Sequence, residues 1–154
     1  MLNNVVLRSI RYMLDISENK LIEIAKMAEC EISRPDILGY LKLEDEEGYQ
    51  YCKDEVMGRF LDGLIYFKRG KDETRPTPPL ELPLTNNTVL KKLRVAFELK
   101  EDDMHDILKS SGFPLSRPEL TALLRKQGHS NYRECGDQVL RNFLKGLTLK
   151  IRKQ

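Results

Sequence analysis

The chain has 154 residues, 40% hydrophobic and 32% charged, with a net charge of +2; this composition describes a soluble globular chain and excludes a disordered one. No apolar run approaches the length of a membrane span. Met1-Leu2-Asn3-Asn4 has neither the basic nor the apolar region of a signal peptide, and three cysteines without close spacing point to a reducing compartment, so a cytoplasmic protein is expected.

Hydrophobic residues recur with a helical period from the start. Val6, Leu7, Ile10, Met13 and Leu14 define a first amphipathic helix, with Asn3-Asn4 suited to cap it. Ser17-x-x-Lys20 opens a second, whose apolar face is Leu21, Ile24, Ala25 and Ala28. Ser33-Arg34-Pro35-Asp36 opens a short third helix over residues 35–42: Ser33 caps, Pro35 stands in the first turn, and Asp36 completes a capping box. An acidic connection at residues 44–47 and Gly48 follows. The fourth helix is announced by Tyr49-x-x-Cys52-x-Asp54-x-Val56-x-x-x-Phe60-Leu61-x-Gly63-Leu64. Val56, Phe60, Gly63, Leu64 and Phe67 share one of its faces. A glycine inside a helix costs about 1 kcal/mol relative to alanine, so Gly63 implies that another backbone passes close by.

Gly70 can end this helix. Pro76, Pro78, Pro79 and Pro83 then exclude helix and central strand from residues 70–85, leaving an extended strap. Its Leu80, Leu82 and Leu84 alternate, as if laid across an apolar groove. From Asn86 the chain starts again. Asn86-Asn87, Ser116-Arg117-Pro118-Glu119 and Tyr132-x-x-Cys135-x-Asp137-x-Val139-x-x-x-Phe143-Leu144-x-Gly146-Leu147 repeat the first half at a constant offset of 83, without a gap. Residues 3–69 and 86–152 are identical at about a third of positions. The short third helix of the copy covers residues 118–126. The chain is therefore expected to be all-α: a first helical repeat over 1–69, a proline-rich linker over 70–85, and a second repeat over 86–154, about four helices each. A repeat this short has a marginal core of its own, so the two should pack together. A homodimer fits the same logic, since a repeat that pairs with its sister can pair with a copy of itself.

These paired asparagines, Ser-Arg-Pro caps and Tyr-x-x-Cys-x-Asp…Phe-Leu-x-Gly-Leu helices resemble the YehS-type bacterial family of short proteins with two copies of a domain of unknown function. The resemblance spans essentially the whole chain. It implies a small bacterial cytoplasmic protein of duplicated helical architecture, and it carries no catalytic residues with it.

Candidate chemistry is sparse. Cys52 and Cys135 lie just before a helix N-terminus, where a thiolate is stabilised, but free cysteine commonly serves as a small buried hydrophobe, and that reading is preferred. Asp54 and Asp137 suit the first turn of a helix. Glu101 and His105 stand one turn apart, which is weak grounds for a metal site; the first repeat lacks the pair, and His129 stands alone. Gly63 to Gly70-Lys71 has the wrong spacing for a phosphate loop and Asp72 where such a loop needs Ser or Thr. The run at 44–47 lacks the ligand pattern of a calcium loop. No catalytic set, metal site or cofactor is expected.

Charge carries more information. Residues 1–75 hold 12 basic and 15 acidic side chains, whereas residues 76–154 hold 14 and 9. The preferred expectation is a non-enzymatic module that binds a protein partner, with no membrane involvement. The alternative is nucleic-acid binding by the basic second repeat, whose second and third helices have a helix-turn-helix outline. Arg117, Arg125 and Lys126 would then face bases, and Arg133, Arg141, Lys145, Lys150, Arg152 and Lys153 would contact phosphates.

Overall fold

A computed structural model describes residues 1–153. These form eight α-helices with no strand among the described residues: α1 (Asn3–Leu14), α2 (Glu18–Met27), α3 (Arg34–Leu41), α4 (Asp54–Arg69), α5 (Asn86–Ala96), α6 (Glu101–Ser110), α7 (Arg117–Leu124) and α8 (Asp137–Arg152). The chain is all-α, with four helices in each repeat.

Local chemistry starts most of these helices. The Ser17 hydroxyl accepts the Lys20 N–H at 3.2 Å, Ser33 accepts that of Asp36 at 3.2 Å, and Ser116 accepts that of Glu119 at 3.2 Å. Pro35 and Pro118 lie in the first turns of α3 and α7, where no amide donor is needed. Glu119 also reaches back to the Ser116 N–H at 3.0 Å, closing a reciprocal capping box. Asp36 is one methylene shorter, and no such return bond forms in α3. The full device therefore belongs to the second repeat only, not to both as the sequence pattern implied. A second correction concerns Asn3 and Asn4. α1 begins at Asn3 itself, Leu2 occupies the cap position without a side-chain bond, and both asparagines are buried.

Within each repeat the long last helix lies on the second one, α4 on α2 and α8 on α6. The glycines make this possible. A methyl group on Gly63 would overlap the carbonyl oxygen of Ile24, and one on Gly146 would overlap that of Ile107, the equivalent residue. Between repeats the contacts are exchanged: α1 packs on α8, and α4 packs on α5. Each repeat thus lends its first helix to the other's last, in a pseudo-two-fold arrangement. Leu7, Ile10, Phe60, Leu64, Leu90, Leu93, Phe143 and Leu147 all belong to one continuous core.

The strap is docked. Leu80 rests on Gly58 of α4, with its Cδ2 2.9 Å from where a Cβ would stand. Arg59 donates to the Pro78 carbonyl at 2.9 Å. Leu84 packs against the core, while Leu82 is 47% exposed. Two of the three leucines hold the strap down, and the middle one turns to solvent.

Candidate binding surfaces

The residues that recur most clearly form a hydrogen-bonded clamp. Asn4 Nδ2 donates to the carbonyls of Tyr40 (3.0 Å) and Gln50 (2.7 Å), and its Oδ1 accepts the Cys52 N–H at 3.0 Å. Asn87 does the same with Leu123 (3.0 Å), Arg133 (2.8 Å) and Cys135 (2.8 Å). Asn3 donates to the Cys52 carbonyl at 2.9 Å and to Asp54 Oδ1 at 2.8 Å. Asn86 donates to Cys135 at 3.0 Å and to Asp137 at 2.8 Å. Buried backbone groups in the irregular run before α4 and α8 would otherwise lack partners, and the amides satisfy them. This clamp was not legible as such from sequence.

The two aspartates then tie the repeats to each other. Asp54 Oδ2 accepts the Leu84 N–H at 3.0 Å. Asp137 Oδ1 lies 2.8 Å from the amino group of Met1, and residue 1 corresponds to residue 84 at the repeat offset. Hydrogen bonds from the Met1 ammonium and from Asn86 hold the Asp137 carboxyl below its ordinary range.

Two surface depressions remain. One, of about 730 Å³, lies over the start of α7 and the run before α8, and is lined by Arg117, Arg125, Arg133, Glu119 and Tyr132. The other, of about 550 Å³, runs between α1 and α8, where Val5, Tyr12, Leu144 and Leu149 stand beside Arg8, Arg141 and Lys145. The nine basic candidates are therefore not one surface. Arg117 is paired with Asp102, Arg133 lies 4.0 Å from Glu119, and Lys150 lies 3.8 Å from Asp103. Arg152 stacks on Tyr12, with its guanidinium 4.3 Å from the ring centre, and donates to the Tyr12 carbonyl at 2.6 Å. Lys126 and Lys153 are exposed and line neither depression.

Comparison with known proteins agrees with this duplicated layout. The family described as "Protein of unknown function (DUF1456)" matches twice, over residues 3–70 and 86–153. The chain belongs to this family. A relative, "Uncharacterized protein YehS" of Escherichia coli (strain K12), is 50% identical over 150 residues, covering 97% of this chain and 96% of the relative. No solved structure matches.

The cysteines of this DUF1456 chain are packed away. Cys52 and Cys135 are buried, and burial pushes their thiols up to about 12 and about 11 respectively. Such thiols stay protonated at neutral pH and are poor nucleophiles. Cys30 is half-buried, and desolvation raises its thiol too. Glu101, one turn from His105, accepts instead from the Thr121 hydroxyl. Groups of three or more metal-ligating side chains are absent among the described residues, and no described helix is long and apolar enough to cross a membrane.

Proposed function

We propose that this chain is a non-enzymatic protein-binding module, an adaptor in which two repeats form a single scaffold. One observation carries the reading. The α1/α8 groove presents Tyr12, 63% exposed, and Leu149, 46% exposed, among arginine and lysine side chains. Exposed aromatic and aliphatic residues flanked by arginine are the composition of protein-recognition surfaces. The repeated residues support it from the other side, because Asn4, Asn87, Asp54, Gly63 and Cys52 are used in holding the fold. The Escherichia coli relative and the three free cysteines support a bacterial, cytoplasmic setting.

Photo-crosslinking side chains placed singly at Tyr12, Leu43 and Gln127 test this reading in cells. Protein adducts specific to one position are expected. Adducts at none of them, or a catalytic turnover abolished by substituting Cys135 or His105, would overturn it.

A second reading, nucleic-acid binding by the second repeat, is favoured by one arrangement: Arg117, Arg125 and Arg133 gather around the α7 depression. It requires retention on duplex or RNA that falls steeply with salt through counterion release and is lost in an Arg117→Glu/Arg125→Glu/Arg133→Glu chain. Absence of retention at low salt removes it.

A further inference from the structure

We infer that the α1/α8 groove docks an extended acidic peptide segment bearing leucine. The inference rests on the protein-binding reading and specifies the chemistry of the partner. It comes from comparing the groove with its counterpart in the same molecule. The repeat offset maps Ser9, Arg141 and Lys145 onto Lys92, Gly58 and Asp62, so the counterpart is the cleft between α5 and α4.

That counterpart is closed in two ways. The chain's own strap, extended and leucine-bearing, sets Leu80 onto Gly58, and Arg59 holds the Pro78 carbonyl at 2.9 Å. Further along, Lys92 pairs with Asp62, a carboxylate only 5% exposed, with Arg59 3.7 Å from its second oxygen. Lys92 thus bonds one oxygen of this carboxylate, and the other has no hydrogen-bond donor, only the Arg59 charge beside it.

In the α1/α8 groove both closures are missing. Arg141 stands in place of Gly58, Ser9 in place of Lys92, and Lys145 in place of Asp62. The carboxylate has become a cation. Arg141 and Lys145 are exposed, and none of the residues lining the groove is acidic. The strap indicates an extended occupant; because Arg141 fills the place that Leu80 takes on the other side, its leucine falls on the apolar part of the groove, Val5, Tyr12 and Leu149. The occupant's charge is indicated by the lining itself, because Arg8, Arg141 and Lys145 stand in the groove without an acidic residue among its lining, and negative side chains complement them. Charge complementarity of this kind sets register and favours one partner over others.

The test is anisotropy titration of a fluorescein-labelled synthetic peptide, Pro-Leu-Glu-Leu-Glu-Pro-Leu-Glu, with the full chain, beside the same peptide with glutamine for glutamate. Saturable one-to-one binding is expected. It should weaken at least about tenfold for the glutamine peptide, and as much in an Arg141→Glu/Lys145→Glu chain, whose altered residues are exposed and outside the core. No saturable binding, or binding that survives either change, overturns the inference. Displacement of the peptide by short duplex DNA also overturns it, making the groove a phosphate site. A sedimentation dimer lost in the double variant overturns it too, assigning the groove to a second copy. If the peptide fails while crosslinks at Leu43 or Gln127 capture protein, only this inference falls and the adaptor reading stands.

Discussion

Asn4 and Asn87 each use one amide to satisfy three backbone groups that no helix can reach. Replacing either with alanine strands two carbonyls and an N–H in a buried place. Asn4→Ala and Asn87→Ala should each cost about 2–3 kcal/mol in urea denaturation, whereas Asn19→Ala, at an exposed position, should stay within about 0.5 kcal/mol. Equal effects at the three sites would mean that the clamp is incidental. The asparagines were visible in the sequence as a repeated pair, but their role was misassigned. Capping is a local preference, and their partners lie 36 to 51 positions away, beyond any local pattern. The cysteines were the opposite case, since burial follows from their place before an apolar helix face. Their thiols are expected to resist a disulfide reagent at pH 8 in the native chain and to react once it is unfolded. Because folding raises their pKa, the stabilisation is fully present below the unfolded value near 9 and is lost as pH climbs toward about 11 and 12. A denaturation series from pH 8 to 11 should show stability falling, with a shallower fall in Cys52→Ala. An identical slope in that variant would remove Cys52 from the account.

At the scale of helices, the glycines separate two kinds of contact. A side chain at Gly63 or Gly146 meets backbone, which cannot move without shifting α2 or α6. At Gly58 it meets the far end of the Leu80 side chain. Gly63→Ala and Gly146→Ala should therefore destabilise by about 1–3 kcal/mol through overpacking, and the leucine variants by at least as much. Gly58→Ala, which gains helix propensity, should lie within about 1 kcal/mol of the parent. Thermal melts of the three alanine variants decide it; a melting temperature unchanged at Gly63 would contradict the close approach of α4 and α2. This feature was readable beforehand because a glycine kept at two equivalent helix positions implies close packing whatever the neighbour is. The basic surface was not readable in the same way. Nine cations counted along the second repeat look like one face, yet Arg117, Arg133 and Lys150 lie within 4.0 Å of carboxylates on α6 or α7. Only the packing of those helices shows which charges are already matched.

Over the whole molecule, neither repeat owns its core. α1 is covered by α8, and α4, besides lying on α2, by α5, so a fragment ending in the strap would expose the apolar surfaces of α1 and α4 that face the second repeat. Residues 1–85 alone are expected to be either unfolded by circular dichroism or dimeric by sedimentation, with a second copy standing in for the missing repeat. A folded monomeric fragment would show that the exchange of helices is not what stabilises the chain. The duplication itself was plain from the 83-residue offset. The exchange was not, because the periodicity of a helix shows which face is buried and not which helix buries it.

The matched places of Met1 and Leu84 bear on how the molecule should be handled. Ahead of Leu84 the polypeptide continues as the strap, lying on α4 at Gly58. By the same geometry, residues joined ahead of Met1 would leave along α8, over Arg141 and Lys145. A purification handle fused there would be held beside the groove at a local concentration on the order of millimolar. If the groove takes the acidic segment inferred above, an acidic, leucine-bearing handle would lower the affinity measured on such a fusion, so the form without a handle is the one to titrate.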